Sequence, residues 1–230
     1  MHLEHLTYHY PGNHKLLFDD LSFCVQEGEL NFLIGRNGVG KSTLLDIFLG
    51  LRQAHCVRDY CFNNNYLAIS QGLPMLGRMT CLEIAQLILG VAWKQPYLQC
   101  QEIEAQLPPL VNDFFADKWQ QYYYECSGGE QRLVQLFLFL QVDKACYILD
   151  EPTSSLDRRY AALLLQLLAQ MQGKTIVMVT HDYRDFKHFD QFMVHWLDER
   201  KCYSYRPDMF KTQAENCGKK FEFLDYFVHS

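Results

Sequence analysis

The sequence predicts an α/β fold: a mostly parallel sheet flanked by helices, with an N-terminal antiparallel β pair and a small α-helical insert. Three observations carry this expectation. Short apolar runs alternate with longer helical patterns along the chain. Two of the runs, Tyr147–Leu149 and Thr175–Val179, are apolar almost throughout, as in strands covered on both faces. A glycine-rich segment, Gly35–Thr43, separates an apolar run from a helical one, at the carboxyl end of a strand where such sheets bind ligands.

The elements follow in order. Leu3, His5 and Thr7 alternate with Leu6, Tyr8 and Tyr10, and Pro11-Gly12-Asn13 reads as a turn, so residues 1–29 are expected to form an antiparallel strand pair. Leu30–Ile34 reads as a strand, Lys41–Leu49 as a helix and Tyr66–Ile69 as a strand. The stretch from Pro74 to Glu125 is polar-aromatic and helical, with breaks at Pro96 and Pro108-Pro109. Glu130–Gln141 and Arg158–Gln172 are the remaining helices, around the two apolar strands. Phe221–Val228 is expected to dock on the core, with a dimer or regulatory contact as the alternative. Tyr122–Tyr124 is expected to pack the insert onto the core, with a ligand-facing role as the alternative.

The chain's 230 residues suit one large domain, and 49% hydrophobic with 21% charged residues excludes global disorder. A net charge of −6 makes a poor non-specific binder of nucleic acid, and none is expected as a partner. Leu133–Leu140 is far short of the roughly 18–20 apolar residues a membrane helix needs. The N-terminus has neither the basic start nor the apolar run of a signal peptide. Nine cysteines without a Cys-x-x-Cys read as reduced, mostly buried thiols of a cytoplasmic protein. His2, His5, His9 and His14 are not brought together on one face of a strand, so no metal site is expected there.

Three motifs carry chemistry. Gly35-Arg-Asn37-Gly38-Val-Gly40-Lys41-Ser42-Thr43 matches G-x-x-x-x-G-K-[ST] between a strand and a helix. Its glycines let backbone N–H groups face a phosphate, and the helix N-terminus adds positive potential. Lys41 is expected on the β and γ phosphates, and Ser42 on magnesium. Asp150-Glu151 ends a buried strand; alone it would read as a helix-start acid pair, but beside a phosphate loop Asp150 is expected to hold magnesium and Glu151 to face an attacking water. Ser127-Gly128-Gly129-Glu130 opens a long helix and offers a hydroxyl and amides, a second phosphate-binding surface. One ATP does not need two such surfaces from one subunit; two subunits head to tail would use both.

In this order of motifs the chain resembles the ATP-binding cassette (ABC) ATPases over nearly its whole length. The matching parts are the Walker A loop 35–43, a Q-loop Gln71, the signature 126–130, Walker B ending at Asp150-Glu151, the D-loop Ser154-Ser155-Leu156-Asp157 and a switch His181. Tyr10 stands where the family places an aromatic that stacks on adenine. The resemblance implies a phosphate-loop NTPase core, with 1–73 and 127–200 as the catalytic core and N-terminal β subdomain, 74–126 as the helical insert and 201–230 as a C-terminal extension. It also implies ATP and Mg2+ as ligands. Tyr10, Gly35, Asn37, Gly38, Gly40, Lys41, Ser42 and Thr43 would bind the nucleotide, and Ser127, Gly128, Gly129, Glu130 and Asp157 would complete the site from a partner. Ser42, Gln71 and Asp150 would serve the metal, while Glu151, His181 and Gln71 would serve hydrolysis. Cys126 and Glu130 replace the usual Leu and Gln of the signature, and Phe137 and Phe139 stand where smaller or basic residues are usual, which predicts altered packing.

The function implied is the ATPase subunit of an ABC transporter, peripheral on the cytoplasmic face of the membrane. It would pair with a second copy or a homologous subunit and power a separate integral membrane subunit. The alternative is a soluble ABC-type ATPase, of the iron–sulfur assembly or the nucleic-acid and ribosome-associated kind. A metabolite kinase would explain the phosphate loop but leave 126–130, Glu151 and His181 without purpose.

Overall fold

Leu30–Ile34 (β3) is apolar except for Asn31, and all five residues are buried, as a strand covered on both faces requires. It lies inside a six-stranded sheet with Tyr66–Ile69 (β5), Cys146–Asp150 (β6), Thr175–Val179 (β7), Met193–Asp198 (β8) and Lys201–Tyr205 (β9), in the order β5-β6-β7-β3-β8-β9. Pairing is parallel from β6 through β7 and β3 to β8, and antiparallel between β8 and β9. The computed structural model describes residues 1–62, 65–70, 77–198 and 200–209. Gln71, Leu73-Pro74, Cys217 and Phe221–Val228 lie outside the described residues. The chain divides into two compact units: Met1–Ala68 with Ala145–Glu151 and the described residues from Gln172 onward, and Ile69–Lys144 with Pro152–Met171.

In the first unit, His2–Tyr8 (β1) pairs antiparallel with Phe18–Cys24 (β2) as expected. Sequence patterning missed a third strand, His55–Arg58 (β4), on the other edge of β1. The strict alternation predicted for β1 also fails. Leu3 and Leu6 are both fully buried although an odd spacing sends regular strand residues to opposite faces. The register shifts between them, and His5 there adopts a φ of 54°. Across from it Asp20 has a φ of 52°, and the two side chains meet at 2.7 Å.

Lys41–Phe48 (α1) packs Leu44, Leu45, Ile47 and Phe48 into the core shared with Leu3, Phe18, Phe23, Val177 and Val179. No basic residue sits in its last turn, but Arg58 donates to the Ile47 carbonyl (2.6 Å) and Tyr60 to that of Phe48 (2.8 Å). Carbonyls that a helix end leaves open are thus satisfied from the following segment. Phe32, next to Leu33 on β3, instead meets Phe186 at 4.2 Å and Phe192 at 5.3 Å.

The second unit holds Cys81–Trp93 (α2), Cys100–Glu104 (α3), Pro109–Phe115 (α4), Gly128–Leu140 (α5) and Arg158–Gln170 (α6). Pro109 takes the first position of α4, where its missing N–H costs nothing. Phe137, fully buried on α5, meets Phe114 edge-on at 5.2 Å, so the altered packing expected there has a partner on α4. The expectation for Tyr122–Tyr124 is corrected. Only Tyr123 is buried, with its hydroxyl between the Gln131 carbonyl and Gln135. Tyr122 and Tyr124 are exposed and stack on each other, their rings 5.6 Å apart. Tyr123–Glu125 is a single 3-10 turn, and of its tyrosines and the N-cap Tyr122 only Tyr123 faces protein. Among the described residues, no helix is long and apolar enough to cross a membrane.

Candidate active site

The phosphate loop leaves β3 at Gly35 and enters α1 at Lys41. Gly35 has a φ of 153°, and a Cβ there would lie 2.5 Å from the Leu197 carbonyl oxygen. Only glycine lets the loop start so close to β8. Asn37 and Gly38 are exposed, and Gly40 is the left-handed N-cap of α1. That helix has neither a side-chain cap nor an acidic residue in its first turn, whereas α2, α5 and α6 are each capped by a side chain. Its first-turn amides and positive end are left for an outside anion, which fits a phosphate.

Lys41 is buried and its ammonium donates to the Gly35 and Arg36 carbonyls at 2.9 and 3.1 Å. Burial pulls its pKa down, and the charges of Glu151 and Asp150 pull it partly back. Ser42 donates to an Asp150 carboxylate oxygen at 3.3 Å. Burial, then the neighbouring Glu151 charge, raises the Asp150 pKa against that hydrogen bond. The hydroxyl–carboxylate pair is a hard-oxygen donor set that suits magnesium. Thr43 bonds through its hydroxyl to the Tyr10 hydroxyl at 2.6 Å, so the predicted base-stacking ring is tethered to the phosphate loop.

Glu151 has a φ of 46°, in the left-handed region that costs a non-glycine residue about 1–2 kcal/mol. Its N–H still donates to the Val179 carbonyl at 3.1 Å. Its carboxylate lies 3.0 Å from His181 Nε2, on the turn after β7. Burial and the Lys41 charge lower the His181 pKa, while the Glu151 charge and hydrogen bond pull it partly back. The structure therefore gathers Tyr10, Lys41, Ser42, Thr43, Asp150, Glu151 and His181 in one unit.

Sequence reading missed Arg52. Its guanidinium lies 5.7 Å from the centre of the Tyr10 ring and donates to the Tyr8 hydroxyl at 3.2 Å. No local motif marks it, because the contact depends on β1 folding back beside the end of α1.

In the second unit, Ser127 caps α5. Its hydroxyl accepts from Glu130 N (3.3 Å) while the Glu130 carboxylate accepts from Ser127 N (2.9 Å). That backbone bond is the main cause of the lowered Glu130 pKa, with Lys118 3.5 Å away. Glu130 thus has a capping task that needs no nucleotide. Gly129 lets α6 approach: a Cβ there would lie 3.0 Å from the Tyr160 ring, whereas Gly128 faces open space. Asp157 caps α6 by accepting from Tyr160 N at 2.9 Å.

The fold and this loop define a phosphate-loop nucleotide-binding protein. The ABC transporter family profile matches residues 18–154, more than half of the chain. The chain belongs to the ABC transporter family, whose cassettes are ATPases. An ABC transporter ATP-binding protein of Bacillus thuringiensis subsp. konkukian is 29% identical over 204 residues, covering 83% of this chain and 37% of the relative. This chain therefore spans little more than a third of that relative's length. An ATP-binding subunit of an ABC transporter superposes with a TM-score of 0.72 at 22% identity, over 100% of this chain and 99% of the other. A dimeric ATP-binding cassette in a post-hydrolysis state, bound to ADP and Pi, gives 0.68 at 20% identity over 90% and 98%. These two likenesses establish the fold.

Proposed function

We propose that this chain binds and hydrolyses ATP as the ATP-binding subunit of an ABC transporter, in a head-to-tail dimer that sandwiches nucleotide and drives a separate membrane-spanning subunit. The observation that carries the reading is the Glu151–His181 pair at 3.0 Å, in the same unit as Lys41 and the Ser42–Asp150 pair. In this scheme the phosphates of ATP lie on the loop amides and the end of α1, and Lys41 exchanges its two carbonyl partners for phosphate oxygens. Ser42 and Asp150, with Gln71, would hold a magnesium ion, which supplies charge neutralisation on the phosphate oxygens. Glu151 orients the attacking water and accepts its proton. His181 donates through Nε2–H, to Glu151 before ATP enters and to the γ-phosphate afterwards. Tyr10 stacks on the base, and Ser127 with Gly129 of a partner subunit covers the same phosphate.

The test is ATPase activity and association state of the purified protein with Glu151→Gln and Ser127→Arg. Glu151→Gln should bind ATP, lose about 10²–10⁴-fold in kcat and accumulate as a nucleotide-bound dimer. Ser127→Arg should bind ATP as a monomer and form no dimer. Tagged Glu151→Gln protein incubated with ATP and detergent-solubilised membranes should retain a polytopic membrane protein. Wild-type turnover in Glu151→Gln removes that residue from its role; recovery of soluble partners alone removes the transport assignment.

A further inference from the structure

The turn that carries His181 is tied on both sides by side chains with no place in the scheme above. Thr180, just before it, is 1% exposed, and its hydroxyl donates to Asp185 Oδ2 at 2.6 Å. Thr180 Oγ1 in turn accepts the N–H of Asp182, just after His181, at 3.0 Å. The Asp182 carboxylate is in turn gripped by the Arg184 guanidinium and accepts from Arg184 N at 2.9 Å. Asp185 closes the loop, its N–H donating to the Asp182 carbonyl at 3.2 Å.

The direction of these bonds matters. Asp185 Oδ2 accepts the Thr180 hydrogen, which leaves the lone pairs of Thr180 Oγ1 for Asp182 N–H. The backbone before and after residue 181 is then set by one oxygen atom. Asp185 is only 3% exposed, and a buried carboxylate is unfavourable unless its bonds are made. An apolar pair of similar shape would fill the same space without that penalty, but would leave Asp182 N–H unheld and the turn free to rotate.

We propose that Asp185 is a positioning residue for His181, acting through Thr180. It fixes the turn so that His181 Nε2 stays 3.0 Å from Glu151 Oε1. The inference rests on the reading above, in which His181 serves hydrolysis.

The experiment measures single-turnover ATP hydrolysis, KM for ATP and melting temperature for Asp185→Ala, Asp185→Asn and Thr180→Val, each in the wild-type and the His181→Ala backgrounds. In the wild-type background Asp185→Ala and Thr180→Val should lower kcat about 10–100-fold, as expected for a misplaced group, with KM changed less than about twofold. Asp185→Asn keeps an acceptor oxygen for Thr180 and should retain most of the rate. In the His181→Ala background none of the three should lower the rate further. A loss of equal size in both backgrounds, or an unchanged kcat in folded Asp185→Ala, overturns the inference and leaves the hydrolysis scheme standing. Wild-type turnover by His181→Ala itself overturns both. Should Asp185→Ala fail to fold, Thr180→Val removes the same bond and carries the comparison.

Discussion

Alanine in place of each phosphate-loop glycine separates backbone geometry from phosphate contact. Gly35 and Gly38 both have positive φ, 153° and 76°, but their surroundings differ. A methyl at Gly38 meets nothing within 4 Å, so Gly38→Ala carries only the cost of left-handed backbone, about 1.5 kcal/mol. A methyl at Gly35 would sit 2.5 Å from the Leu197 carbonyl oxygen, where an ordinary carbon–oxygen contact is about 3.3 Å. That oxygen belongs to β8 backbone held between β3 and β9, so a shift of about 0.8 Å has to pass into the sheet. Overpacking of this kind costs about 1–3 kcal/mol, and a glycine-only φ about 1–3 more. The sum, about 4 kcal/mol, corresponds to a Tm lowered by about 12 °C, against about 4 °C for Gly38→Ala, at about 3 °C per kcal/mol for a chain of this size. The assay is thermal unfolding without nucleotide, so that phosphate contacts do not enter. Equal losses for the two variants, or a larger one for Gly38→Ala, would refute the close approach of Gly35 to β8.

Two further outcomes follow from the packing. His195 is fully buried between Asn31 and Ser204, and burial lowers its pKa from 6.5 to about 3. Asn31 Oδ1 accepts from both Gln26 N and His195, which assigns the histidine proton to Nε2. Below pH 6.5 the unfolded chain takes up a proton that the folded one refuses, so stability falls with pH towards the folded value near 3. Urea unfolding should show the wild type losing about 2 kcal/mol more than His195→Gln between pH 7.5 and pH 5; parallel pH profiles would mean that the ring is not held neutral. Phe137→Ala should cost about 3–5 kcal/mol, because it empties the space against Phe114. Phe139→Ala, at a half-buried position, should cost less than half as much by the same measurement.

Much of this was legible in the chain because its signals are local. The strands at 30–34, 66–69 and 175–179 have the bounds their apolar runs suggest, and α1 starts at Lys41 directly after the glycine loop. The phosphate loop is readable because its chemistry needs glycine, lysine and a hydroxyl at fixed spacing. Other features were hidden because they arise between segments far apart in sequence. β4 is four residues of mixed polarity, and only the open edge of β1 makes it a strand. Leu3 and Leu6 share a face only because His5 and Asp20 bulge opposite each other.

The sequence by itself determined the family, the parallel α/β core and the residues proposed above to face a nucleotide, since residue type and spacing carry that information. Tertiary structure alone decided how those groups are held. It folded Lys41 back onto its own loop, tethered Tyr10 to Thr43 with Arg52 beside it, and gave Glu130 a capping role. It also turned Glu151 into left-handed backbone within reach of His181. Each of these depends on a distance or a dihedral angle between elements, and a linear pattern of residue types contains neither.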